Sequence, residues 1–251
     1  MSAGAAPAGL ASGELAAIED FVDFGVRAFT TTRRAGSFGT GSDEPVRAVM
    51  ERWARLRAEL APGARRLATA SQVHGARVVV HAGGWDGWLR VDAADGHVAP
   101  ERGTALAVTI ADCVPVLLAH PSGAVAALHS GWRGTEANIA AEGVRLLAAG
   151  GRAPRELRAH LGPAICGRCY EVSPDVFRRL TGRAVERPTP VDLRALIADQ
   201  LRAAGVREIA RSEWCTRCDG DRFHSHRAGD PGRQLAVIVA PRGDASEEGE
   251  L

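Results

Sequence analysis

Apolar runs of strand length fill the middle of the chain and constrain its fold more than any other feature. Ala105 to Ile110, Val116 to His120 and Ala124 to His129 follow one another closely, and the last two join across Pro121-Ser122-Gly123. Each run reads as a strand and the Pro-Ser-Gly step as a turn. Val26 to Thr32, the β-branched run Arg77 to His81, Val206 to Ala210 and Leu235 to Val239 read as further strands. Helical spacing interrupts them. Val46, Val49, Met50, Trp53, Leu56 and Leu60 recur on one helix face, after Asp43 as N-cap and Pro45 in the first turn. Thr135 is the expected N-cap of a helix running to Ala149. Ser173-Pro174-Asp175 opens another, and Val191 to Ala204 forms a third, closed by Gly205. Strands and helices are mixed without strict βαβ alternation, which predicts an α+β fold with packed sheets.

The chain has 251 residues, enough to bury a large core, and neither an internal repeat nor a long linker divides it. One domain over residues 18–240 is expected. The Ala/Gly/Ser-rich residues 1–17 and the acidic residues 241–251 read as loose tails. No apolar run approaches the ~20 residues of a membrane span, and the first residues lack the basic start and apolar stretch of a secretion signal. A cytoplasmic protein is expected.

Lys+Arg number 31 against Asp+Glu 30, so no basic excess suggests a nucleic-acid footprint. Every basic residue is Arg. The absence of Lys excludes Schiff-base chemistry and a phosphate-binding P-loop, both of which use a Lys amine. Five cysteines, an odd count without a leader, argue for thiols or metal rather than a disulfide framework.

Three short segments concentrate chemically useful residues: Ser71-Gln72-Val73-His74-Gly75, Ala111-Asp112-Cys113-Val114-Pro115, and His129-Ser130-Gly131-Trp132-Arg133-Gly134. His74, Cys113 and His129 are a donor set suited to Zn²⁺, with a fourth position open. Their separations, 39 and 16 residues, match no compact zinc-finger spacing. Arg133, near a helix start, can contact phosphate. Cys166-Gly-Arg-Cys169 and Cys215-Thr-Arg-Cys218 form two CxxC pairs, but 45 residues lie between them, against ~15–20 in the usual Cys₄ ribbon, which argues against a shared site. Asp219, Asp221, His224 and His226 are candidates for a second metal cluster, with a polar surface loop the preferred reading for His224 and both Asp residues. Arg227 and Arg233 can serve an anionic substrate.

Together these motifs, with Gly162-Pro-Ala-Ile-Cys-Gly-Arg-Cys169-Tyr-Glu-Val and the run from Cys215-Thr to Phe223-His-Ser-His-Arg227, resemble in order the signatures of the laccase-domain family. It is also called the YfiH or multicopper polyphenol oxidase family. The match runs from about Ala28 to Val239. The resemblance implies a YfiH-like domain of mixed β-sheets flanked by helices, with His74, Cys113 and His129 binding one zinc ion. It implies a purine nucleoside phosphorylase acting on adenosine, inosine or methylthioadenosine, with adenosine deaminase activity also possible in the family. The partners expected are a purine nucleoside and phosphate, without nucleic acid or membrane. The catalytic set would be Cys113, Arg33 and Asp112. Arg33, in the family-like Thr31-Thr32-Arg33, would hold phosphate along with Arg133 and Arg227, and Gln72 would contact substrate or orient a ligand.

Three other readings are set beside this one. A hydrolase could use Cys113 as nucleophile on an amide of a cell-wall precursor. A metal-binding scaffold could lack turnover. A copper oxidase ranks last, because 8 histidines in the whole chain are too few for a four-copper cluster, although the site could take copper in vitro. One departure from the family stands out. Its usual Gly-Gly turn and Ser-Leu-Asn-Leu-Gly segment are missing, and Ala35 to Ser42 runs almost directly into the first helix. A change in substrate choice, or in activity itself, is the expected consequence.

Overall fold

Strands apolar at every position are those buried on both faces, and the computed structural model places the central runs in that situation. It describes residues 8–41 and 44–242. In chain order the elements begin with β1 (Leu15–Ile18), β2 (Arg27–Thr31), α1 (Val46–Leu60), β3 (Arg66–Ala70), β4 (Val78–Val80), β5 (Gly87–Val91) and β6 (Gly96–Ala99). The middle of the chain forms β7 (Thr104–Ile110), β8 (Val114–Ala119), β9 (Val125–Ser130), α2 (Trp132–Glu136) and α3 (Ile139–Ala149). Then come β10 (Arg158–Leu161), β11 (Glu171–Val172), α4 (Pro174–Thr181), β12 (Thr189–Pro190), α5 (Leu193–Ala203), β13 (Glu208–Arg211) and β14 (Gln234–Val239).

Among the described residues the strands form two six-stranded sheets, ordered β1-β2-β14-β7-β3-β5 and β13-β10-β8-β9-β6-β4, and a two-stranded ribbon. The sheets stack face to face. Leu106, Val108 and Ile110 of β7 meet Leu117 of β8 and Val125 and Ala127 of β9 in one apolar cluster. The alternate residues of β7, Ala105 and Ala107, point the other way, to Trp53, Leu56 and Leu60 of α1. Val116 and Leu118 of β8 face Ile139 and Val144 of α3 and Ile197 and Leu201 of α5. The order of layers is therefore helix, sheet, sheet, helices, with period-2 alternation dividing each strand between two cores.

Both sheets mix parallel and antiparallel pairs, as the α+β expectation required. Several elements differ from the sequence reading. Residues 15–17 belong to β1, paired with β2, so the ordered chain starts earlier than a tail over residues 1–17 implies. Residues 243–251 lie outside the described residues, as does Asp43, and Pro45 is the N-cap of α1. Val46 and Met50 are exposed, while Val49, Trp53, Leu56 and Leu60 form the buried stripe. Thr135 is not an N-cap: α2 begins at Trp132, and α3 is capped by Asn138, which adopts a left-handed conformation and accepts a bond from Ala141 N. The Thr135 hydroxyl instead bonds Gly131 O at 2.9 Å. β3, β5, β6 and β10 have no strong propensity signal, and β3 (Arg-Leu-Ala-Thr-Ala) forms because neighbours on both sides bury it completely. Among the described residues no helix is long and apolar enough to cross a membrane.

Candidate metal centre

Strand order brings the three distant candidate ligands together. His74 lies in the loop after β3 and Cys113 in the short turn from β7 to β8. β3 and β7 are parallel neighbours, so both loops leave the same sheet edge. β8 starts from that edge, and β9 returns to it antiparallel, with Pro115 opposite His129. The ligand atoms of His74, Cys113 and His129 all lie within 4.8 Å of one another. The two imidazole rings are 4.9 Å apart, edge to face.

Two turn residues are held in the left-handed region, His74 at φ 60° and Asp112 at φ 85°. Such conformations persist only where surrounding bonds fix them. Asp112 supplies one set. Its carboxylate accepts from Thr216 Oγ1 at 2.6 Å and from Arg227 N at 2.7 Å, and its carbonyl accepts from Ile165 N at 3.0 Å. Gln72 supplies another: Nε2 donates to Thr109 O at 2.8 Å, while Oε1 accepts from Thr109 N at 2.7 Å and its hydroxyl at 2.8 Å. Both side chains are committed to holding the ligand loops in place.

The sequence reading missed Asp95, which is completely buried at the start of β6. Its Oδ1 receives His129 Nδ1–H at 2.8 Å and His74 N at 2.9 Å; Oδ2 receives Val73 N at 3.2 Å and Gly75 N at 2.7 Å. One carboxylate thus fixes the tautomer of His129, leaving Nε2 for an ion, and shapes the backbone that carries His74. Burial pushes the Asp95 carboxyl up, but His129 and the N–H groups of Gly75 and Val73 outweigh it, and the group stays below its ordinary value. Burial also opposes ionisation of Cys113, yet the His129 and His74 imidazoles bring its thiol down to about 6. Burial alone would lower His129, but the Cys113 sulfur and Asp95 raise it to about 9. The metal-free chain therefore holds a thiolate beside an imidazolium, and an arriving divalent ion would displace the His129 proton to gain the S and N donors that a borderline-soft ion prefers.

Gly131 makes room for this grouping. A Cβ there would stand 2.9 Å from Cys113 Sγ and 3.3 Å from His74 Cδ2, although its backbone (φ −80°) suits any residue. Gly131→Ala is expected to abolish any metal uptake by His74, Cys113 and His129 while circular dichroism stays native. Undiminished metal content in that variant, measured by mass spectrometry of the purified protein, would contradict this geometry.

The centre opens into a cavity of about 520 Å³, within the range of small-molecule sites. One part is cationic. Arg133, Arg227 and Arg233 line it with His226 and Tyr170. Arg227 is braced over Tyr170 and donates to Glu171 O at 3.0 Å, and Arg233 donates to the carbonyls of Asp230, Pro231 and Gly232. Arg133 lies 4.3 Å over the Trp132 ring, and its guanidinium makes no hydrogen bond to the described residues. The other part is apolar. Trp53 and Trp88 stack at 4.6 Å, and Phe38 meets Trp53 edge-on at 5.4 Å. Phe38 and Thr40 belong to the shortened segment after Arg33, so that departure from the family pattern does border the cavity.

Arg33 does not line the cavity. Its Nε donates to Gly220 O at 2.7 Å, and its Nη2 donates to Phe223 O at 3.1 Å and Asp230 Oδ2 at 2.6 Å. These bonds clamp the loop that carries His226 and Arg227, whereas the sequence expectation was a phosphate contact. The candidate cluster of Asp219, Asp221, His224 and His226 does not assemble among the described residues. Asp219 accepts from Cys215 N and His226 lines the cavity, while His224, read as part of a polar surface loop, is buried. The spacing argument against the two CxxC pairs also fails, since the sulfurs of Cys166, Cys169, Cys215 and Cys218 lie within 4.8 Å of one another.

The stacked-sheet domain gathers His74, Cys113 and His129 at the ends of its central strands, and the comparisons give that domain its relatives. Residues 29–241 match the family described as multi-copper polyphenol oxidoreductase laccase, and the chain belongs to that family. It is 42% identical over 183 residues to a purine nucleoside phosphorylase of Streptomyces coelicolor, covering 69% of this chain and 74% of that one. A purine nucleoside phosphorylase of Deinococcus radiodurans is 38% identical over 239 residues, covering 86% and 89%. Among solved structures, the hypothetical protein YfiH of Bacillus licheniformis superposes with a TM-score of 0.83 at 25% identity, covering 93% and 98%. YlmD of Geobacillus stearothermophilus gives 0.79 at 30%, covering 88% and 94%.

Proposed function

We propose that this protein splits purine nucleosides by phosphorolysis, with Zn²⁺ held by His74, Cys113 and His129. The observation that carries the reading is the juxtaposition, in one cavity, of this donor set, an unpaired Arg133 and an aromatic end. The names of the relatives support the same reading. Bound there, Zn²⁺ supplies a Lewis acid. The chain's own residues do the rest. Phe38, Trp53 and Trp88 seat the base on apolar and aromatic surface. Arg133, with Arg227 and Arg233, neutralises and aims phosphate toward C1′ of the ribose. A phosphate oxygen bonds to C1′ as the bond from C1′ to the purine breaks; the electron pair leaves with the base, which takes up a proton.

Three protein donors would leave a bound Zn²⁺ able to take up and activate a water, which supports adenosine deamination as a second reaction in the same cavity. The polyphenol-oxidase reading finds less support. Among the described residues only two histidines stand in a metal-ligating group, fewer than a multicopper cluster uses.

Arg133→Ala tests the phosphate assignment. It should raise KM for phosphate about 10-fold, equivalent to ~1.4 kcal/mol, and leave KM for the nucleoside within about twofold. Equal increases in both constants would place Arg133 on the nucleoside instead.

A further inference from the structure

Four of the five cysteines take no part in the cavity, yet the fold gathers them. β10 and β13 are parallel neighbours, and the chain continues the pairing beyond them in a bridge between Ala164 and Cys215. Each strand is followed by a CxxC turn at the same end. The intervening residues are the crossover that parallel strands require, and they contain α4 and α5. The 45-residue gap is thus the length of that crossover, whereas ribbon spacings describe turns joined by shorter connections.

The two turns face each other as metal-binding knuckles do. Cys169 N bonds Cys166 O at 2.9 Å, and Asp219 N bonds Cys215 O at 2.8 Å. The Cys215 sulfur receives Cys166 N at 3.2 Å and Cys218 N at 3.4 Å, so backbone N–H groups of both turns converge on it. Cys169 Sγ and Cys218 Sγ stand 3.5 Å apart, and all four thiols are free. Each turn also carries an exposed arginine, Arg168 or Arg217, beside what would be a doubly negative tetrathiolate complex.

We propose that Cys166, Cys169, Cys215 and Cys218 form a second, structural zinc site. Four thiolates close the coordination sphere of Zn²⁺, leaving no position for substrate. Its role is to fasten the back of the reaction centre. Ile165 and Thr216, each adjacent to a ligand cysteine, both bond Asp112, the neighbour of Cys113. Tyr170, next to Cys169, lines the cavity beneath Arg227. The ion would tie the β10 and β13 loops together and so hold this wall in register.

Metal analysis of the full-length protein, purified without chelator, tests this independently of any activity. The wild type should carry two zinc ions per chain, Cys113→Ala one, and the double variant Cys166→Ser/Cys218→Ser one. A double variant that keeps the wild-type content overturns the proposal. So does a wild type with a single zinc that Cys113→Ala removes, stoichiometric iron in its place, or an intact mass showing a Cys169–Cys218 disulfide. Should the double variant not fold, Co²⁺ reconstitution of the wild type decides. The charge-transfer intensity of a four-thiolate tetrahedral site is expected, and that of a single thiolate alone would refute it.

Discussion

Cys113→Ala is expected to yield a folded protein that has lost the zinc of the His74–His129 site and more than about 100-fold of its phosphorolytic rate. The fold should survive because the turn that carries Cys113 is held by its neighbour. Asp112 bonds Thr216, Arg227 and Ile165, and none of these contacts involves the thiol. The metal should not survive, because two imidazoles alone rarely retain Zn²⁺ at a site built for three donors. Altering a residue that only orients a ligand costs 10–100-fold, and removing the thiolate itself should cost more. The variant also separates the two enzymatic readings of Cys113. A nucleophilic cysteine needs no metal, so its activity would persist in chelator, whereas the activity proposed here should vanish with the zinc and return when zinc is restored.

Asp95→Asn should show the second largest effect. The carboxylate accepts four hydrogen bonds with no exposure to water. An amide placed there turns an NH₂ group toward N–H donors on one side, whichever way it is oriented, and removes the negative charge facing His129. Leaving buried donors unpaired in this way should cost about 3 kcal/mol, which lowers Tm by roughly 10 °C in a chain of this size. Zinc affinity at the His74–Cys113–His129 site should fall 10–100-fold, read by competition with a chromophoric chelator. A variant with lower Tm and unchanged zinc affinity would mean that Asp95 shapes the loop without orienting the ligands.

His74, Cys113 and His129 stand out in the sequence as one donor set only through the ordered family motifs, because their spacing matches no compact zinc site; the fold brings their donor atoms within 4.8 Å. Asp95 gave no such signal. It lies in Ala93-Ala94-Asp95-Gly96, which resembles a turn, and only the pairing of β6 with β9 brings it beside His129. The aromatic end was hidden for a similar reason. Trp53 satisfies the buried stripe of α1, and Trp88 falls in a Gly-rich cluster; they meet because β5 pairs at the edge of the sheet that α1 covers. Arg33 illustrates the reverse case. Its motif is family-like and a guanidinium there would suit phosphate, yet Gly220, Phe223 and Asp230 take its Nε and Nη2 donors, partners that the sequence does not reveal. The central strands were legible from apolar runs alone. β3 and β6 were not, because burial rather than propensity makes them strands.

Incubation of the zinc-loaded wild-type protein with adenosine, with and without phosphate, tests the central claim most directly, the products being resolved by chromatography. The account predicts adenine in amounts that depend on phosphate, with ribose 1-phosphate formed in equal measure and both abolished in Cys113→Ala. Adenine formed at the same rate without phosphate, or no adenine at all from protein with a filled His74–Cys113–His129 site, would contradict it.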